Sequence, residues 1–395
     1  MKVLILGMDG YLGWSLTNYL TARDFEVAGV DNLARRNWVA DMDSDSAIPI
    51  APMEFRSMAY KEKWGRELVF WEADITDYHL LSAIMKTFMP DAIVHLGECP
   101  SAPYSMRDVW SAQYVQKNNI LGTLAVLFAM KDICPNSHLV KLGTMGEYGT
   151  PNLDIPEGYF EVEYRGRKDY LPFPKQAGSF YHLTKVHDTT NIAFACKVWR
   201  LKATDIMQGV VYGTNLEEFG DDPDMRTRLD IDEAFGTVIN RYCCQAVIGE
   251  PLTVFGRGGQ TRGFLPLEDS MKCMTLAIES PPMEGEHRVL NQFEQIFSVK
   301  KLAEIVAEQA LKLQVSDKIE IQHIGNPRIE AEEHYYNPDR NRLVELGYEP
   351  DFKIDQDIYF MLEDLTQFTD HIYTLRHVLM PWIWWDDRLK EWTNR

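Results

Sequence analysis

A chain of 395 residues with 45% hydrophobic content is ordinary for a globular protein and long enough for one large core or two. Its formal charge of −19 excludes a general nucleic-acid binder, so an anionic ligand must be held by particular arginines and helix N-termini. No apolar run approaches the roughly 18 residues of a membrane span. The six cysteines have neither Cys-x-x-Cys nor metal-ligand spacing and are expected as reduced core thiols, with no metal and no membrane partner.

Lys2–Leu6 is an apolar run too short for a signal peptide and is expected as the first strand of a cytoplasmic protein. Gly7, Gly10 and Gly13 follow, before a helical pattern to about Arg23. There the first glycine permits a tight turn, the second lets a pyrophosphate approach the backbone, and the third lets the helix pack on the strand. The spacing is Gly-x2-Gly-x2-Gly rather than Gly-x-Gly-x2-Gly. Glu26–Val30 is the second strand, with Asp31 at its end. A carboxylate there accepts from the adenosine ribose hydroxyls and repels a 2′-phosphate, which selects NAD over NADP. Arg35 and Arg36 pull the other way, toward a phosphate.

Residues 37–66 look like an insertion, with an acidic patch at Asp41–Ser46 and no assigned role. Val69–Trp71 is a third strand. Beyond it Asp74 is placed either to bond an adenine or to cap the next helix. Ala92–Leu96 is a fourth strand, and a helical pattern containing Asn118 and Asn119 runs on to Met130. His138–Leu142 is a fifth and opens into Gly143-Thr144-Met145-Gly146-Glu147. This alternation predicts an α/β fold, a Rossmann-type doubly wound parallel sheet, with ligands at the carboxyl ends of its strands. Thr204–Gly209 continues the sheet. From about residue 207, shorter elements rich in Gly, Pro and charge predict a smaller C-terminal substrate-binding domain. The expected division is an NAD-binding domain over 1–206 and a nucleotide-sugar-binding domain over 207–395, part of 235–290 returning to the first. Ser298 caps an amphipathic helix to Leu313, and Trp382, Trp384 and Trp385 are read as core or interface.

Gly178–Lys185 organises the chemistry. Tyr181 and Lys185, four residues apart, share one helix face, where the ammonium lowers the phenol pKa and makes it an acid/base. With 18 tyrosines, about one such pair is expected by chance, and Tyr164 with Lys168 has the same spacing in a loop-like stretch. What distinguishes Tyr181 and Lys185 is the cofactor-type sequence before them. Thr144, at a strand end, is placed to share a hydrogen bond with a substrate hydroxyl and Tyr181.

In this order the glycine turn, Asp31, Thr144, Tyr181 and Lys185 resemble the extended short-chain dehydrogenases/reductases that act on nucleotide sugars. Longer blocks (Asp31–Arg36, Ser101–Met106, Gly143–Pro151, Gly178–Asp188, Gln208–Gly213, Gly258–Gly263 and Asn326–Tyr336) are similar to the UDP-sulfoquinovose synthase family over nearly the whole chain. The resemblance implies NAD-mediated oxidation of UDP-glucose at sugar carbon 4 and loss of water across carbons 5 and 6. Sulfite then adds at carbon 6, and carbon 4 is reduced again. It implies Tyr181 as acid/base, Lys185 tuning it and holding the nicotinamide ribose, and Thr144 positioning the carbon-4 hydroxyl. Related dehydratases carry an Asp-Glu pair after that Thr; Met145 and Gly146 stand here, which argues against a UDP-sugar 4,6-dehydratase or 4-epimerase. Glu147 and His182 become the candidates for removing the carbon-5 proton, and Met145 completes the candidate catalytic set.

The implied cofactor residues are Gly7, Gly10, Gly13, Asp31, Asn32, Arg36, Asp74, Ile75, Leu96, Asn118, Tyr181 and Lys185. On the substrate side stand Thr144, Gln208, Gln260 facing the sulfite path, and Arg262 and Arg328 on the diphosphate, with Arg228 weaker. Cys99-Pro100 replaces a Gln-Arg pair that the family can carry, which alters the sulfite handling expected there. No plant-type transit sequence is read, in keeping with a prokaryotic, cytoplasmic enzyme. Analogy further implies a homodimer packed through helices around 105–131 and 179–199, and leaves room for a sulfite-delivering partner. The non-enzyme alternative, a dehydrogenase-like binding protein, is disfavoured by the retained Tyr181 and Lys185.

Overall fold

The structure, a computed structural model, describes residues 1–386 and 388, apart from 332, 334, 351 and 352. Glu332 and His334, part of the last motif block, lie outside the described residues. The strands in chain order are β1 (Lys2–Leu6), β2 (Glu26–Asp31), β3 (Val69–Glu72), β4 (Ala92–His95), β5 (His138–Leu142), β6 (Tyr159–Tyr164) and β7 (Arg167–Pro172). Then come β8 (Lys202–Gln208), β9 (Val210–Tyr212), β10 (Leu252–Phe255), β11 (Thr261–Pro266), β12 (His287–Gln292), β13 (Gln295–Ser298) and β14 (Ile321–Ile324).

Seven of them form one parallel sheet in the order β12-β8-β5-β4-β1-β2-β3. The chain starts in the middle, winds out to β3, then crosses back to β4. The direction of winding reverses between β1 and β4, and the crevice at their carboxyl ends is where such sheets bind ligands. Both faces of these strands are covered, which is why Val3–Leu6 of β1 and Ala92–Val94 of β4 read as unbroken apolar runs. On one side Trp14, Leu16 and Leu20 of the Tyr11–Thr21 helix join Met271, Met274 and Ile278 of the Leu267–Glu279 helix. On the other, Leu81, Ile84 and Met85 pack with Val126, Met130, Ile192 and Cys196 from the helices Tyr78–Phe88, Val109–Ile133 and Phe180–Trp199.

A second core gathers Ile239, Tyr242 and Cys243 of the Val238–Val247 helix, Leu302 and Val306 of Val299–Lys312, and Ile358 and Leu362 of Ile354–Thr366. Here β9, β11 and β13 make a small sheet and β10 pairs with β14. The chain passes between the layers repeatedly: β11 belongs to the small sheet, the next helix packs under the large one, and β12 pairs with β8. Ser298 caps its helix, accepting from Lys301 N.

Two stretches differ from their sequence reading. Tyr164 and Lys168 lie on an exposed antiparallel hairpin, β6–β7, whose charged strands lack the alternation that marks a half-buried sheet. Within 37–66, the helix Met53–Trp64 sends a fully buried Arg56 to the glycine turn, where its guanidinium meets Asp9 Oδ1 at 2.7 Å.

Candidate active site

The glycine turn joins β1 to the first helix. Gly7 has φ +90°, and a Cβ there would lie 2.7 Å from the Leu96 carbonyl carbon; a Cβ on Gly13 would lie 2.0 Å from Gly7 O. Gly10 differs: the one atom near its Cβ position is Gly7 O at 3.3 Å, so space beside its backbone stays open toward the cavity it lines. That cavity is bounded by Gly7, Gly10 and Gly13, by Asp31 and Asn32, by Ile75, Leu96 and Asn118, and by Thr144, Tyr181 and Lys185. Residues far apart in sequence thus meet in one crevice.

Asp31 accepts from Asp9 N at 2.9 Å and Leu33 N at 2.7 Å, and burial, helped by the Asp9 charge, raises its pKa to about 6. Its neighbours correct three expectations. Arg36 is not on the cavity: Nε and one terminal nitrogen bond the Asp9 carboxylate at 2.8 Å each. Arg228 is buried in a two-oxygen contact with Asp230, which also accepts from Arg35. Asp74 neither caps the helix, a role filled by Asp77, nor lines the cavity. It accepts from Thr76 and, at 3.1 Å, from the cavity-lining Asn32.

At the other end, Tyr181 and Lys185 stand one turn apart on the Phe180–Trp199 helix, whose N-cap is Ser179. Lys185 Nζ lies 5.8 Å from the Tyr181 ring centroid and donates to Leu142 O at 2.6 Å and to Glu98. The expected lowering of the Tyr181 pKa is absent: burial raises it, and the Glu98 charge adds to the rise. Glu98 also lines the cavity, and the sequence reading passed over it. Its signal was its place, three residues beyond β4 at the edge of the crevice.

A second cavity adjoins the first, sharing Thr144, Gln208, Gly209 and Val210 with it. Gln208 gives both amide hydrogens to Ser270 and Gln292, at 2.8 and 3.0 Å, which leaves its carbonyl oxygen for the cavity. Met145 and His182 line this cavity; Glu147 does not. Glu147 is fully buried behind the loop, joined to Lys175 and accepting from Thr189 at 3.0 Å, and it closes a capping box with Thr144. Thr144-x-x-Glu147 is itself a capping-box sequence, the signal that explains this carboxylate. His182 contacts Ser179 Oγ through Nδ1 at 3.1 Å. Burial, then Arg262 and Arg328, lower its pKa to about 3, so its imidazole is neutral.

Arg262, Arg328 and Glu330 form the far wall; Arg262 donates to Glu330 at 2.6 Å. Gln260 is buried off the cavity and does not face it. Trp385, read as core or interface, lines the cavity instead, its backbone N–H donating to Pro327 O at 3.0 Å.

Residues 3–291 match the model of the NAD dependent epimerase/dehydratase family. The chain belongs to this family. It is 47% identical over 98% of both chains to a UDP-sulfoquinovose synthase of Sulfolobus acidocaldarius. It is 46% identical to the chloroplastic UDP-sulfoquinovose synthase of Spinacia oleracea, over 97% of this chain and 79% of that one. A Bacillus cereus UDP-glucuronic acid 4-epimerase, solved with UDP-glucuronic acid and NAD, shares the fold with a TM-score of 0.69 at 20% identity, covering 93% of this chain and 99% of its own. Within its family the chain groups with the UDP-sulfoquinovose synthases, enzymes that use NAD. Among the described residues no helix is long and apolar enough to cross a membrane.

Proposed function

We propose that this enzyme joins UDP-glucose and sulfite into UDP-sulfoquinovose in the paired cavities, NAD lying in the first and the sugar in the second. The observation that carries the reading is their meeting at Thr144, with Tyr181 and Lys185 on one side and a neutral His182 on the other. The first cavity suits a dinucleotide: Gly10 leaves room for a pyrophosphate, and Asp31 keeps lone pairs for ribose hydroxyls. Arg35 and Arg36 are already answered by Asp230 and Asp9, in keeping with NAD rather than NADP. When bound, NAD accepts a hydride from sugar carbon 4 and later returns it.

Tyr181 takes the proton of the carbon-4 hydroxyl, which Thr144 orients. The ketone so formed acidifies carbon 5, and His182 removes that proton. The carbon-6 hydroxyl leaves as water with the proton His182 has taken; sulfite, as bisulfite, then adds to carbon 6 through its sulfur lone pair, and the proton it gives up passes by way of His182 to carbon 5. Tyr181 then protonates the carbon-4 oxygen. Arg262 and Arg328 hold the diphosphate, whose negative charge offsets two of the cations that depress His182 and so raises its basicity as substrate binds. The small-sheet layer from β9 onward is the substrate-holding part.

Two further readings accompany this. The helices Val109–Ile133 and Phe180–Trp199 expose Val109, Trp110, Leu121, Phe128, Phe180, Leu183, Phe194 and Val198, an apolar face that suits a homodimer. The six cysteines are buried and free, which suits the reducing cytoplasm.

Mass spectrometry of the purified protein with UDP-glucose, with and without sulfite, tests the function. A UDP-sulfoquinovose peak that requires sulfite and is absent from Tyr181→Phe supports it. UDP-galactose or a 4-keto-6-deoxy sugar formed without sulfite moves the assignment to epimerase or dehydratase.

A further inference from the structure

Beneath the cofactor cavity, the segment after β4, strand β5 and the Phe180–Trp199 helix gather Glu98, Lys141, Lys185 and Asp188, which are 5%, 1%, 4% and 1% exposed. Glu98 Oε1 meets Lys141 Nζ at 2.7 Å, and Oε2 accepts from Lys185 Nζ. The Leu142 carbonyl accepts from both ammonium groups, at 2.6 Å from Lys185 and 3.3 Å from Lys141. Asp188 Oδ2 lies 3.6 Å from Lys141, while His95 Nε2 stands 4.0 Å from Glu98.

Burying an ammonium is costly unless a carboxylate and further acceptors compensate it. Here two ammonium groups share one ionised carboxylate. Burial and the Glu98 charge push the Asp188 pKa well up, burial lowers that of His95 to about 3, and the two lysines hold Glu98 well below the usual carboxylate range. Two of the three Lys185 N–H bonds are thereby committed, and the third is left for the cavity.

We propose that Glu98 is a positioning residue of the reaction: anchored from behind by Lys141, it fixes the Lys185 ammonium at the cavity floor and sets the charge against which Tyr181 exchanges its proton. This rests on Tyr181 being the acid/base. The groups acting on the phenol are Glu98 and Cys99 after β4, Lys141 on β5 and Glu147 in the following loop, with Lys185 on its own helix. After burial, Glu98 is the largest influence. It offsets the help that Lys185 alone would give the phenolate. A phenol held protonated is the form that returns a proton to the carbon-4 oxygen.

The test uses holoenzyme, with carbon-4 oxidation of UDP-glucose followed without sulfite by the absorbance of the reduced nicotinamide across pH. Glu98→Gln moves the acid limb of that profile down by about one pH unit, because the charge that disfavours the phenolate is gone. Glu98→Asp keeps the charge but shortens its reach: the limb stays and the rate falls about tenfold. The tyrosinate ultraviolet difference titration, assigned by subtracting Tyr181→Phe, moves with the limb in Glu98→Gln. Both profiles unchanged in Glu98→Gln overturn the inference. Should Glu98→Gln not fold, a Glu98→Asp variant with wild-type rate overturns it equally. Wild-type protein that never reduces its nicotinamide would instead refute the underlying function.

Discussion

At the glycine-turn end of the site, Arg35 and Arg228 close on Asp230, and Arg36 and Arg56 close on Asp9. At the second cavity, Arg262 pairs with Glu330, and Arg328 feels the same carboxylate. The first cluster is answered within the protein, several of its members out of solvent's reach; the second faces a cavity across which an anion can complete it. An arginine in a ligand-binding motif is therefore not by itself a ligand contact. What matters is how many carboxylates reach it before the ligand does.

The sharpest test concerns the junction between these ends. Tyr181→Phe, keeping the ring and losing the hydroxyl, reduces carbon-4 oxidation about a thousandfold or more in single-turnover absorbance traces. Next comes the assignment of the base on the cavity side of the Thr144 loop. His182→Gln lowers deuterium incorporation from solvent at carbon 5 about a hundredfold while carbon-4 oxidation persists. Glu147→Gln leaves that incorporation in place and lowers Tm, since Glu147 serves the buried ion pair with Lys175. Comparable loss from Glu147→Gln would break the distinction between the loop's two sides.

The arginine comparison has its own test. Arg262→Ala or Arg328→Ala raises KM for UDP-glucose about 10- to 100-fold, the scale of a lost charged contact. Arg56→Ala leaves that KM near wild type but costs about 3 kcal/mol in denaturant unfolding, because Asp9 loses a buried partner. A separate effect is on acid stability. His95, His138 and His182 have their pKa lowered to about 3 by burial, against 6.5 when free. Below pH 6.5 the unfolded chain takes up these protons first, so stability falls steadily toward pH 3, by up to about 1.4 kcal/mol per group and pH unit. Asp31, raised to about 6, opposes part of this between pH 6 and 4. A Tm flat from pH 7 to 5 would contradict the buried, neutral imidazoles.

Spacing along the chain was enough for whatever depends on near neighbours. The parallel-sheet alternation, the glycine turn, the strand-end Thr144 and the Tyr181–Lys185 pair all follow from local spacing and backbone sterics, and each lines the crevice. Glu147, which the sequence offers as a candidate base, is held instead in a capping box with Thr144. Tertiary structure alone decided the electrostatics. Nothing near Lys185 in sequence announces Glu98 or Lys141, and nothing near Arg36 announces that Asp9 is its partner, with Arg56 arriving from an insertion. Trp385 reaches the second cavity from just over two hundred residues beyond His182. The physical reason is that backbone geometry is a short-range property, whereas the charge state of a buried group is fixed by everything packed within a few ångströms of it, whatever its place in the chain.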